Sequence, residues 1–182
     1  MRNLLFFIFI ASLSACTTYT KVVQIDETTG YFPTNKSATV VKSIDRNLDA
    51  FKGLILVPTG GFTRDMVTNI GYFDKVITFE DLEVILVQEN LADTVPSLDN
   101  KLGVNKAARA YEHFLWLRWD SRREENNRYS QLILTDPISL EDIFIGETYV
   151  DVVWNGVSDQ ANFYPNMNAL VDYIKSNSSS YQ

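Results

Sequence analysis

Between two turn-forming residues, Gly53 and Pro58, the chain reads Leu54-Ile55-Leu56-Val57, apolar at every position. Side chains alternate across a strand, so such a run has no face to offer water, and a sheet containing it must be covered on both sides. A crossover follows. Thr59-Gly60-Gly61 turns the chain. Thr63 is expected to cap a helix with Asp65 in its first turn, Phe62 stapled onto Val67, and Met66, Val67 and Ile70 on its buried face. That helix ends at Gly71, and Lys75-Val76-Ile77-Thr78 reads as a second strand at the separation parallel pairing needs.

Thr78-x-x-Asp81 has the form of a capping box for another helix, with Leu82, Ile85, Leu86 and Glu89 on one face. The short run Val84 to Val87 suits a strand equally, and helix is preferred. Ser97 or Asp99 is expected to open a further helical stretch, broken near Gly103 and resumed from Asn105 to Tyr111. Phe114 to Trp119 is dense and aromatic, as in an interior strand. The charged stretch 121–128, Ser-Arg-Arg-Glu-Glu-Asn-Asn-Arg, reads as a solvated turn. Leu132 to Thr135 and Phe144 to Trp154 complete an antiparallel meander, the latter placing Phe144, Gly146, Thr148, Val150, Val152 and Trp154 on one face. Met167, Leu170, Val171 and Ile174 repeat at helical spacing behind Pro165-Asn166. The expected fold class is α/β, a single-domain α/β sandwich with a mixed parallel/antiparallel sheet flanked by helices.

The first residues concern destination. Met1-Arg2-Asn3 precedes the apolar run Leu4 to Leu13 and the small residues Ser14-Ala15, the pattern of a secretory signal, and the run is shorter than the roughly 20 residues a spanning helix needs. Leu13-Ser14-Ala15-Cys16 resembles the lipobox of bacterial lipoproteins, in which the cysteine receives a diacylglycerol and becomes the new N-terminus. Cys16 is the single cysteine of the 182 residues, so it has no partner for an internal disulfide. Several acyl chains on one residue hold firmly where one alone binds marginally. The resemblance implies an anchor at Cys16, with Thr17 rather than aspartate after it pointing to the outer membrane, periplasmic face. The domains are then a lipoprotein signal peptide at 1–15, a lipidated tether at 16–37, the α/β domain at 38–175 and a flexible tail at 176–182. The net charge is −7, one unit more negative without Arg2, and the doublet Arg122-Arg123 is followed at once by Glu124-Glu125, which argues against nucleic acid or anionic headgroups as partners.

Gly71-Tyr72-Phe73-Asp74-Lys75-Val76-Ile77, then Leu82-Glu83-Val84-Ile85-Leu86 and Glu89, resemble the stretch after the first crossover helix in periplasmic domains of the LpoB-type penicillin-binding-protein activators, the curli secretion lipoprotein and the TolB N-terminal domain. The likeness extends as an order of elements over about residues 38 to 175. It implies a non-catalytic envelope protein that binds another envelope protein.

The residues themselves offer little chemistry. With one histidine and a cysteine assigned to the anchor, no His/Cys metal site is expected, nor any cofactor. His113, just before the aromatic strand, is the one candidate general base. Gly60-Gly61 at a helix start can present backbone N–H groups to an anion, but no Gly-Lys-Ser/Thr follows, and a tight turn is preferred. Glu147 and Asp151 alternate with Tyr149 between them on what is expected to be the outward face of a strand, a surface for a protein or a sugar. Two readings stand: a protein-interaction module of the periplasm, not an enzyme, or a periplasmic small-molecule- or glycan-binding protein or hydrolase using a carboxylate or His113.

Overall fold

The computed structural model describes residues 22–150 and 159–181. One six-stranded mixed sheet organises them. Its strands are β1 (Thr39–Ser43), β2 (Leu54–Val57), β3 (Lys75–Thr78), β4 (Leu115–Glu124), β5 (Asn127–Asp136) and β6 (Glu141–Tyr149), in the spatial order β1-β6-β5-β4-β2-β3. β2 runs parallel to both β3 and β4, and the other pairs are antiparallel. The helices are α1 (Gly61–Ile70), α2 (Phe79–Gln88), α3 (Lys101–Ala110), the single turn α4 (Asp159–Asn162) and α5 (Tyr164–Asn177), with a 3-10 turn at Leu48–Phe51. The α/β sandwich with a mixed sheet is the one the sequence leads to expect.

All four residues of β2 are buried, and they divide the core between the two faces. Ile55 and Val57 join Leu115, Leu117, Leu132, Leu134 and Phe144 under α1 and α5, which contribute Met66, Val67, Met167, Leu170, Val171 and Ile174. Leu54 and Leu56 pack with Phe114 against Leu82 and Leu86 of α2 and Val104 and Ala107 of α3. Each such side chain contributes about 1.5–3 kcal/mol by leaving water. The capping box at Thr78 and Asp81 is complete, with hydrogen bonds in both directions.

Several local details differ from expectation. Thr63 does not cap α1. Gly60 does, at φ 97° and without a side-chain bond, and Thr63 lies inside the helix accepting a hydrogen bond from Trp119 Nε1 at 2.9 Å. Phe62 turns to the edge of Phe163 with 5.3 Å between ring centroids. Asn100, not Ser97 or Asp99, caps α3, which runs through Gly103 unbroken; Ser97 instead bonds Asp99. A Cβ on Gly103 would stand 2.0 Å from the carbonyl oxygen of Ser97, so the glycine marks a close approach between helix and loop rather than a helix break. Residues 121–128 are strand on either side of a two-residue turn, since Glu124 pairs with Asn127 and Glu125 sits at φ 52°. This hairpin extends past the covering helices, where both faces are wet and a charged sequence still forms a ladder. Trp116 faces α2 and α3 and is only half-buried. β6 ends at Tyr149, with the Val150 N–H bonding the Arg128 carbonyl at 2.8 Å; Asp151, Val152 and Trp154, expected to continue it, lie outside the described residues.

The ends of the domain are held by side chains. Val22 and Phe32 are buried, the backbone of Phe32 is bracketed by Asn168 through bonds of 2.8 and 2.9 Å, and Tyr31 and Thr34 bond Asp172 and the carbonyl of Gln160. From Val22 onward the segment expected to be tether is therefore strapped along α5. After α5, the serines 178 to 180 all donate to the Asp49 carboxylate and Tyr181 bonds the carbonyl of Ile70. The tail expected to be loose is tied to the 3-10 turn, because three consecutive hydroxyls can surround one carboxylate.

Candidate functional site

Three places qualify by the chemistry of their side chains. The first is built on His113, whose Nε2 lies 3.3 Å from Asp136 Oδ1 while Phe51 meets its ring edge-on at 4.6 Å. Asp136 is buried between β5 and β6 and also receives the Ile138 N–H at 2.9 Å and Arg46 at 3.6 Å. Burial pushes its carboxyl up, but the bonds from His113, Ile138 and Ser139 together outweigh this and hold it below the ordinary carboxylate range. In a serine hydrolase the histidine stands between hydroxyl and carboxylate. Here the carboxylate stands between, taking bonds from both His113 and Ser139, and among the described residues no hydroxyl is hydrogen-bonded to the histidine ring.

The second lies on the sheet face carrying Glu147 and Tyr149. Glu147 does not point freely outward: it is buried, gripped by Arg122 through two bonds of 2.8 and 2.7 Å and by Gln131 at 2.7 Å. Arg122 lies over the Tyr129 ring at 4.5 Å, and Tyr129 meets Tyr149 edge-on at 5.7 Å. A parallel arrangement one register along joins Arg118 to Asp142 at 2.8 and 2.9 Å, with Thr135 bonding the same carboxylate. These contacts explain why a tract of arginines and glutamates forms strand. They also fix the charge states. Hydrogen bonds from Arg122 dominate at Glu147 and hold its carboxyl below the ordinary value of 4.5, against a smaller opposing effect of burial. A depressed carboxyl stabilises the fold fully above the unfolded value and loses that contribution as pH falls through the folded one. Glu147→Gln is therefore expected to cost about 1–2 kcal/mol at neutral pH, less than a fully buried pair because Arg122 remains partly wet. Denaturant melts of variant and wild type should differ at neutral pH and converge as pH falls below the ordinary carboxylate value and through the lowered folded-state one.

The Gly60-Gly61 turn does not form an anion cradle with its surroundings. Space around Gly60 is open, and the depression next to it, reached through Thr59, is lined by Glu80, Glu83 and Asp99 with Phe79 and Trp116. Carboxylates repel a phosphate. The φ of Gly60 alone accounts for the glycine, because only a residue without Cβ adopts it readily. Among the described residues, no group of three or more His, Cys, Asp or Glu is placed to hold a metal. Cys16 lies outside the described residues.

The third place carried no sequence signal of function. β1 is an edge strand, paired to β6 on one side only, and Val40 and Val41 are 50% and 54% exposed. Beside it runs an open groove of about 530 Å³ walled by arm residues Tyr31 to Ala38 and by Pro165, Asn168, Ala169 and Asp172 of α5. A second groove continues it along Val40, Ser43, Phe144, Ala169 and Ser176. Val40, Ala169 and Asp172 line both, making one trough between the strand edge and the helix. The strand at Thr39–Ser43 was not among the elements expected from the sequence; what makes its exposed valines notable is the helix alongside.

No family model and no curated protein matches the chain. Among solved structures, the chain is similar to the C-terminal domains of LpoB from Salmonella enterica and from Escherichia coli, each at 18% sequence identity, with TM-scores of 0.37 and 0.36 over 56% and 55% of this chain and 84% and 83% of theirs.

Proposed function

We propose that this chain is a lipid-anchored envelope protein, acylated on Cys16 at the periplasmic face of the bacterial outer membrane, whose α/β domain works by docking another envelope protein and not by catalysis. One observation carries the non-catalytic reading: the most enclosed carboxylates are each committed to internal donors. Glu147 is held by Arg122 and Gln131, Asp142 by Arg118 and Thr135, and Asp136 by His113 and Ile138. For all three the net direction is downward, away from the raised value a general acid needs at neutral pH. No helix among the described residues is long and apolar enough to cross a membrane, so the lipid would supply the attachment.

Strapping of the arm limits its reach. Five residues separate Cys16 from the buried Val22, a span of about 20 Å at full extension. The body would thus stay close to the leaflet that holds the lipid, and its partner would be met there. Metabolic labelling with an alkyne fatty acid is expected to tag the wild type and leave Cys16→Ser untagged. Equal tagging of the serine variant refutes the anchor. Loss of the cellular phenotype in a folded, anchored His113→Ala variant would refute the non-catalytic reading.

A further inference from the structure

We infer that the trough between the free edge of β1 and α5 takes an extended segment of a partner protein, which adds as a further strand to β1 and carries lysine or arginine next to alternating apolar residues. This rests on the docking role proposed above and names its surface and the chemistry of its occupant.

The geometry is that of strand addition. An edge strand presents a row of backbone N–H and C=O groups without partners, and a helix lying alongside supplies pockets for alternate side chains of an incoming strand. β1 has both features. Among the described residues its outer edge has no strand beside it, and Val40, Ala169 and Phe144 form an apolar floor toward α5. An incoming strand would place every second side chain on this floor, since side chains alternate with period two. At the rim stand the carboxylates of Asp172 and Asp26, with the amine of Lys36 among the lining residues and that of Lys175 engaged 4.2 Å over the Tyr31 ring. Asp172 gives one oxygen, Oδ1, to the Tyr31 hydroxyl, and its charge has no cationic partner within ion-pair distance among the described residues. A cation on the partner would supply one.

A second copy of the chain fits poorly. Antiparallel pairing of two β1 strands about Val41 sets Val40 opposite Lys42. The register shift between Val40 and Lys42 would occur in both strands of such a symmetric contact, whereas a partner strand would meet it only once. Each copy also carries a net charge of −7, so close approach is opposed over the whole surface.

The test is site-specific photocrosslinking in cells, with a photoreactive amino acid at Val41 of the full-length chain and, as control, at Tyr149, which is 47% exposed on β6 beyond the last residue that pairs with β1. The expected result is an adduct from position 41 at least ten times stronger than from 149, whose sequenced crosslinked segment is extended in composition and contains lysine or arginine. Asp172→Asn in the same background is expected to reduce that adduct several-fold, while circular dichroism shows the fold intact. The inference is overturned by no adduct at 41, by equal adducts at both positions, by a crosslink to a second copy of the chain, or by a captured segment without a basic residue. Fatty-acid labelling of the same cells reports on the anchor separately, so failure at Cys16 and failure at β1 are told apart.

Discussion

Gly103→Ala is expected to lower stability by about 2–4 kcal/mol, although alanine is the better helix former. At an ordinary interior helical site the exchange would gain roughly 0.5–1 kcal/mol. Here the added Cβ would lie 2.0 Å from the Ser97 carbonyl oxygen and 3.2 Å from the Leu98 Cα, so something must move. The neighbour is backbone and has no rotamer to change. Nor is the loop free to retreat, since Leu98 is buried in the cluster beneath α2 and α3, and Val104 beside the glycine is fully enclosed. Either α3 lifts from the sheet, uncovering Val104 and Ala107, or the Ser97–Asn100 turn distorts and the Asn100 cap on the Gly103 N–H is lost. Thermal melts should show a fall of about 5–15 °C for a domain of this size. An unchanged or raised melting temperature would mean that the helix and loop are not in contact.

That glycine also shows how a sequence can point to the right element for the wrong reason. Read alone, a glycine in a helical stretch suggests a break, because its conformational cost is a local property. Its benefit is a close contact with the loop at Ser97 and Leu98, six and five residues earlier, which no periodicity reports. The same limit applies at Thr63, whose hydroxyl suits a cap locally but is taken by the Trp119 indole, 56 residues away. Elements governed by burial were legible: the fully buried β2, the alternation of Leu115 and Leu117 into one cluster, and the Leu82 and Leu86 stripe of α2 follow from hydrophobic pattern alone. The hairpin at 121–128 was not, because its strands are held by the backbone ladder and by Arg122 over Tyr129 instead of by a buried face. The β1 trough was the least legible. An edge is defined by which strand fails to arrive, and that depends on the whole sheet order.

Polar residues around α5 account for the other difference. A segment rich in Thr, Asn and Lys reads as solvated, yet the arm from Val22 to Ser37 needs only two buried anchors, Val22 and Phe32, if side chains on α5 satisfy its backbone. Asn168 does this for Phe32 by donating to its carbonyl and accepting from its N–H, as a neighbouring strand would. Tyr164 accepts from the Val23 N–H at 3.1 Å and stacks on the Phe32 ring with centroids 5.1 Å apart. One helix thus covers the sheet with one face and holds the arm with another, which is why α5 buries nine of its fourteen residues.

Phe32→Ala is the substitution expected to change the arm most. Phe32 is 2% exposed, and truncating a buried phenylalanine costs about 3–5 kcal/mol where the surroundings cannot collapse. The arm has an alternative to bearing that cost, which is to leave. Once the ring is lost, what still holds it is the Asn168 bracket, the Tyr31 and Thr34 bonds and Val22, and detachment returns the arm's conformational entropy at roughly 1–2 kcal/mol per residue. The loss in global stability is therefore expected to be smaller than the truncation value, with the arm undocking while the sheet persists. Trypsin cleavage after Lys36 should accelerate at least ten-fold in the variant, and amide exchange should rise at Phe32 while that of β2 stays protected. For an acylated chain, release would extend the leash between lipid and body from about 20 Å to about 70 Å, counting extended residues from Cys16 to Ala38. It would also remove the wall that Tyr31 to Ala38 give the β1 trough, so reach would be gained as the docking surface is lost. A variant that melts about 3–5 kcal/mol lower in a single transition, with no change in cleavage at Lys36 under native conditions, would show instead that arm and sheet form one cooperative unit.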